Sequence, residues 1–134
     1  MLLSLMSKED KHHTETVRFL DGFPEGLRLS PYSLVELDLL LRSREIAVRE
    51  TKTFYTSLGT FLDYRDVDLV PAKPVYHGAA HTLRERYKGI TYFDSLHAAV
   101  GIIEDVELIS YDKGYASVAG LKYSPPSRRL SRSK

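Results

Sequence analysis

The chain has 134 residues and a mass of 15.3 kDa, is 43% hydrophobic and 28% charged, and contains no cysteine. That is enough chain for one domain with a real core, and it excludes disulfide frameworks, thiolate metal sites and cysteine nucleophiles. The net charge of +1 divides unevenly: "SPPSRRLSRSK" carries Arg128, Arg129, Arg132 and Lys134 and no acid, so removing those four cations leaves −3 for residues 1–123.

The opening "MLLSLM" is too short for the apolar part of a signal peptide and runs into "SKEDKHH" rather than a small-residue cleavage site. No window approaches the length of a membrane span. These features suit a soluble, cytoplasmic protein without membrane contact. The expected organisation is one domain over residues 1–126 and a basic, disordered tail over 127–134. Such a tail is able to touch a phosphate backbone.

In chain order, "EDKHHTETVRFLDGF" spaces Val17, Leu20 and Phe23 as a helix does and ends at the turn "FPEG". A short strand, "GLRLS", follows. "SPYSLVELDLLLRSRE" then offers Ser30 as N-cap and Pro31 at the first helical position, with Leu34, Leu37 and Leu41 on one face. A long helix from roughly Arg44 to Tyr64 carries Ile46, Thr53, Phe54, Leu58 and Phe61. "VDLVPA" reads as a strand, and "PVYHGAAHTLRERYKG" as a helix entered on proline and stopped by glycine. "TYFDSLHAAVGIIED" is the next helix, "VELIS" a β-rich strand, and "GLKYSPP" a last short strand. Strands alternating with helices imply an α/β domain with a mostly parallel sheet and helices on both faces. Ligands in such sheets gather beyond the carboxyl ends of the strands, where Asp112 lies two residues after "VELIS".

Three acids stand out, each with an ordinary local reason. Asp94 in "TYFD" completes a capping box with Thr91, and the helix dipole favours an acid in the first turn. It also heads a face of small residues, with His97, Ala98 and Gly101 behind it, while Phe93, Leu96, Val100 and Ile103 form the apolar face. Asp112 in "SYDKGY" fits a turn before Gly114. Glu36 sits among apolar residues in "SLVELDLLL", where a carboxylate near a buried face needs a partner, an Arg or Lys or a cation; neighbouring Asp38 is expected to face solvent.

The other histidines point to less. His77 and His81 in "HGAAH" stand four apart on a helix and so can present two imidazoles to one metal. No third ligand is suggested nearby, and the glutamate of the zinc-protease version is missing. His12 and His13 read as solvated. No Gly-rich phosphate loop and no nucleophile elbow is present.

Taken together, "SLVELDLLL", "YFDSLHAAVGIIEDVELISYDKGY" and "GLKYSPP" resemble the PIN domain family, especially small VapC-like toxins. An acid on an early helix is followed by D-x-x-H-x-A opening a late helix. A strand ending in S-x-D-K-x-[FY] comes next, then a short strand and proline. The resemblance runs from about Met1 to Pro126. It implies a three-layer α/β/α sandwich and a Mg²⁺- or Mn²⁺-dependent endoribonuclease, the toxin of a toxin–antitoxin pair. An RNA substrate, a small antitoxin and a homodimer come with it. Carried over by position, the family's metal-binding acids fall on Glu36, Asp94 and Asp112, and its supporting Ser/Thr on Ser110. Such chemistry asks for hard oxygen ligands, and converging carboxylates ask for a cation. One element departs: the family's first strand and its aspartate have no counterpart, so the expectation is either a start further upstream, the favoured reading, or a lost metal ligand. Glu9 and Asp10 are poor substitutes, since they lie across a helical turn. A PIN-like module impaired in catalysis, acting by binding RNA or protein, is the alternative reading.

Overall fold

A computed structural model of the chain describes Arg18 and residues 26–126. In chain order these form β1 (Arg28–Leu29), α1 (Pro31–Arg42), α2 (Thr51–Tyr64), β2 (Asp68–Leu69), α3 (Pro74–Arg86), α4 (Tyr92–Glu104), β3 (Leu108–Ile109), a 3₁₀ helix over Lys113–Ser117, and β4 (Tyr123–Ser124). The architecture is mixed α/β, with two separate pairs of short parallel strands. Of the expected first helix only Arg18 is described, helical and exposed; Glu9, Asp10, His12, His13 and the tail over 127–134 lie outside the described residues. No described helix is long and apolar enough to cross a membrane. The chain divides into two compact units, one over Phe23–Pro71 and the other over Met1–Gly22 with Ala72–Lys134.

The unit over Phe23–Pro71 opens at Gly26, whose φ of 78° suits glycine at the expected turn. Strands β1 and β2 pair in parallel, Arg28 opposite Asp68 and Leu29 opposite Leu69. Ser30 caps α1 as expected: its side chain accepts from the Tyr32 N–H at 3.3 Å, and Pro31 takes the first turn. Tyr32 and Leu37 are buried on α1, Leu58 and Leu62 on α2, and Val70 just after β2.

The expected helix from Arg44 to Tyr64 is shorter at its start. Arg44 adopts a left-handed φ of 65°, and the N–H groups of Glu45 and Ile46 both donate to the Leu40 carbonyl at 3.1 and 3.4 Å. That turn closes α1, and Glu50 is extended before α2 begins at Thr51. The β-branched Ile46 and Val48 favour extended backbone over helix, so the helical spacing of Ile46 with Thr53 was coincidental.

In the unit containing Ala72–Lys134, α3 and α4 run antiparallel. Lys73 and Tyr76, at the start of α3, meet Glu104 at the end of α4: the Tyr76 hydroxyl donates to Glu104 Oε2 at 2.8 Å, and Lys73 Nζ lies 3.4 Å from the same oxygen. At the other end Arg84 Nη1 donates to Ser95 Oγ at 2.7 Å. Helix α3 stops sooner than "YKG" implied. Tyr87 is already extended, and its hydroxyl accepts from the Ala119 N–H at 2.9 Å, which draws the chain out of the helix before Gly89.

Helix α4 is the centre of this unit. Ser95 through Gly101 are all buried, a wider burial than the single apolar face expected from Phe93, Leu96, Val100 and Ile103. A helix covered on every side must be apolar or small all round, which explains Ala98, Ala99 and Gly101. At Gly101 an added Cβ would stand 2.8 Å from Leu121 Cδ1. Asp105 ends α4 in the left-handed conformation, φ 53°. The chain then turns into β3, which pairs in parallel with β4, Leu108 opposite Tyr123 and Ile109 opposite Ser124. Buried Ser124 donates from Oγ to Glu107.

Candidate active site

Asp94 owes its position to the cap of α4. Thr91 is extended, and its Oγ1 accepts from the Asp94 N–H at 3.2 Å. This is the first half of the expected capping box. The Asp94 carboxylate makes a different bond from the one a closed box would use: its Oδ1 accepts from the Tyr115 hydroxyl at 2.8 Å. An acid in the first turn also sits in the favourable end of the helix dipole.

Asp112 reaches the same tyrosine along the chain. Just beyond β3, Ser110 Oγ accepts from the Asp112 N–H at 3.1 Å, and the Ser110 carbonyl accepts from the Tyr123 hydroxyl at 3.1 Å. Asp112 Oδ1 in turn accepts from the Gly114 N–H at 2.9 Å and so caps the 3₁₀ helix. That helix carries Tyr115, which is buried beside Tyr123 with ring centroids 5.9 Å apart. The cap on Asp112 thereby holds the tyrosine that holds Asp94. Asp94 is half-buried on the helix, and Asp112 is exposed in the loop that follows β3.

Ser110, Asp112 and Asp94 are therefore brought together through Tyr115. Glu36 belongs to the Phe23–Pro71 unit, half-buried on α1. Asp38 beside it is exposed, as expected, and its Oδ1 accepts from the Tyr55 hydroxyl at 2.9 Å. Among the described residues no group of three or more His, Asp or Glu is placed to hold a metal ion. What Asp94 and Asp112 offer is two carboxylates in one neighbourhood, each with one oxygen bonded to the protein. Mg²⁺ often takes only one or two carboxylates, completing its shell with water and substrate phosphate. The donor chemistry fits that cation.

His77 and His81 are exposed on α3, and His81 Nε2 lies 3.0 Å from Glu85 Oε1, one turn along the same helix. His97 is buried on α4. Tyr55 and Tyr76 carry raised pKa values. Burial, then the bond to Asp38, pushes Tyr55 up to about 12. Burial, then the bond to Glu104, raises Tyr76.

Sequence reasoning gave no role to Tyr115, although it fills the last position of S-x-D-K-x-[FY]. It also passed over Arg84 and Tyr92. The Arg84 guanidinium lies 5.0 Å from the centroid of the Tyr92 ring. Their signal was present in "RERYKGITYFD", where cations and aromatics alternate just before Asp94. No protein-family model matches the chain, and no curated protein is significantly similar to it.

Proposed function

We propose that the chain is a PIN-like, Mg²⁺- or Mn²⁺-dependent endoribonuclease with an α/β/α fold. The observation that supports this best is the linkage of Asp94, Ser110 and Asp112 through Tyr115 beyond the carboxyl end of β3. Open α/β sheets place ligands there. In this reading Asp94 and Asp112 hold the cation. Ser110 fixes the backbone of Asp112, and Tyr115 fixes the rotamer of Asp94. When bound, such a cation supplies an activated water and charge stabilisation on the phosphoryl and leaving 3′ oxygens. A homodimer restrained by a small antitoxin is the assembly that goes with this activity.

The test is cleavage of single-stranded RNA with and without Mg²⁺ by the wild type and by Asp94→Asn/Asp112→Asn. The double variant is expected to lose Mg²⁺-dependent cleavage while keeping its helical circular dichroism. Unchanged cleavage overturns the assignment.

A second reading has its own support. Asp94 and Asp112 already accept protein hydrogen bonds, and the described residues gather no three-ligand group. A PIN-like module that binds RNA or protein without cutting needs nothing more. Calorimetry with Mn²⁺ separates the two: heat that disappears in the double variant supports the nuclease, and no heat from the wild type supports the module.

A further inference from the structure

The connection between α3 and α4 gathers cations and aromatics at the end of the unit where Asp94 lies. Arg84 and Arg86 occupy the last turn of α3, Lys88 follows in the loop, and Tyr92 opens α4 two residues before Asp94. Arg86, Lys88 and Tyr92 are exposed, Tyr92 at 55% despite its size.

Tyr92 is both exposed and held. The Arg84 guanidinium lies over its ring, and the same side chain is tied by Nη1 to the buried Ser95 hydroxyl. Phe93 meets the ring edge-on, with centroids 5.5 Å apart. Among the described residues Arg84 meets a hydroxyl and a ring rather than a carboxylate. Arg86 lies over the Tyr87 ring at 5.5 Å. An aromatic face backed by an arginine, in a connection that carries two more exposed cations, suits single-stranded nucleic acid: bases stack on aromatic side chains irrespective of sequence, and cations follow the phosphates.

We infer that Tyr92, backed by Arg84 and opening the helix after a connection that carries exposed Arg86 and Lys88, is a base-stacking subsite for single-stranded RNA adjoining Asp94. This rests on the ribonuclease reading and deepens it, by naming where the strand is held next to the acids.

Binding of a fluorescent oligouridylate, followed by anisotropy in EDTA, tests the subsite without any cleavage. Tyr92→Leu keeps an apolar side chain of similar reach and removes the stacking face. It is expected to weaken binding about 5- to 150-fold, the range of one base–aromatic stack, and Tyr92→Phe is expected to restore it. Arg86→Gln/Lys88→Gln is expected to flatten the dependence of log affinity on log salt by roughly 1.4, at about 0.7 for each single-strand phosphate contact. The four cations of residues 127–134 stay in every variant, so general attraction by the tail cancels in the comparison. Urea unfolding of each variant checks that the fold is kept. Wild-type affinity in Tyr92→Leu overturns the subsite, as does a loss seen only in the charge variants. Tyr92-dependent binding with no cleavage in Mg²⁺ supports the subsite and counts against the ribonuclease reading alone.

Discussion

Among the described residues each compact unit contains two α-helices, one pair of parallel strands and at least one helix acid bonded to a tyrosine, yet the two units use these parts differently. In the Phe23–Pro71 unit, α1 and α2 each bury two residues, and the Asp38–Tyr55 bond lies at the surface. In the unit containing Ala72–Lys134, α4 buries seven consecutive residues, and the Asp94–Tyr115 bond is partly buried. A hydrogen bond exchanged for water contributes little, whereas one shielded from water fixes a side chain's position. The same acid–tyrosine pairing is thus a surface clasp in one unit and a positioning device in the other.

The largest expected effect follows from that difference in burial. Leu96→Ala, at a side chain only 2% exposed, is expected to cost about 2–5 kcal/mol. Leu39→Ala on α1, 48% exposed, is expected to stay within about 0.5 kcal/mol. Urea unfolding measures both, and equal costs would break the contrast between the units.

A smaller effect concerns the surface clasp and appears only at high pH. Tyr55 has a folded pKa of about 12, above its ordinary 10.0, so the folded state keeps this proton longer than the unfolded chain does. Its contribution to stability is complete below pH 10 and is lost as the pH rises from 10 through 12. Tyr55→Phe removes that part of the alkaline loss and leaves the part due to Tyr76. Stability measured by urea at pH 8 and at pH 11 should therefore fall less in Tyr55→Phe than in wild type; an equal fall removes Tyr55 from the account.

The smallest effect sharpens the comparison at the helix ends. Asp66, after α2, and Asp105, after α4, are both left-handed, with φ of 57° and 53°. A non-glycine residue there costs roughly 1–2 kcal/mol, and glycine gives back roughly 0.5–1 kcal/mol through the freedom of the unfolded chain. Asp66→Gly is expected to raise stability by under about 1 kcal/mol. Asp105→Gly should gain less, because it also gives up the exposed 2.9 Å ion pair with Lys122. Thermal melts that rank the two variants the other way would show that the ion pair contributes nothing.

Much of the site's local framework was legible in the residues. Thr91 and Asp94 announced a helix start, and Asp112 before Gly114 announced a turn; both roles are present, with Asp112 capping a 3₁₀ helix. What could not be read was where the Asp94 carboxylate goes. Its partner Tyr115 lies 21 residues away in sequence, and no periodicity encodes a bond of that range. The subsite residues Arg84 and Tyr92 were missed for the same reason, since their meeting depends on how two helices pack.

By itself, then, the sequence determined the elements whose ends carry their own chemistry. Ser30 with Pro31, Pro74, and Thr91 set the starts of α1, α3 and α4, because caps and proline act on backbone groups within a few residues. The tertiary structure decided what had no local cause. Arg44 turns left-handed where a continuous helix was expected, and Tyr87 ends α3 before Gly89 once its hydroxyl meets Ala119. The whole circumference of α4 is buried where one face was expected, and the carboxylate of its cap reaches across to Tyr115. In each case the deciding neighbour is supplied by packing, which brings together groups that spacing along the chain cannot.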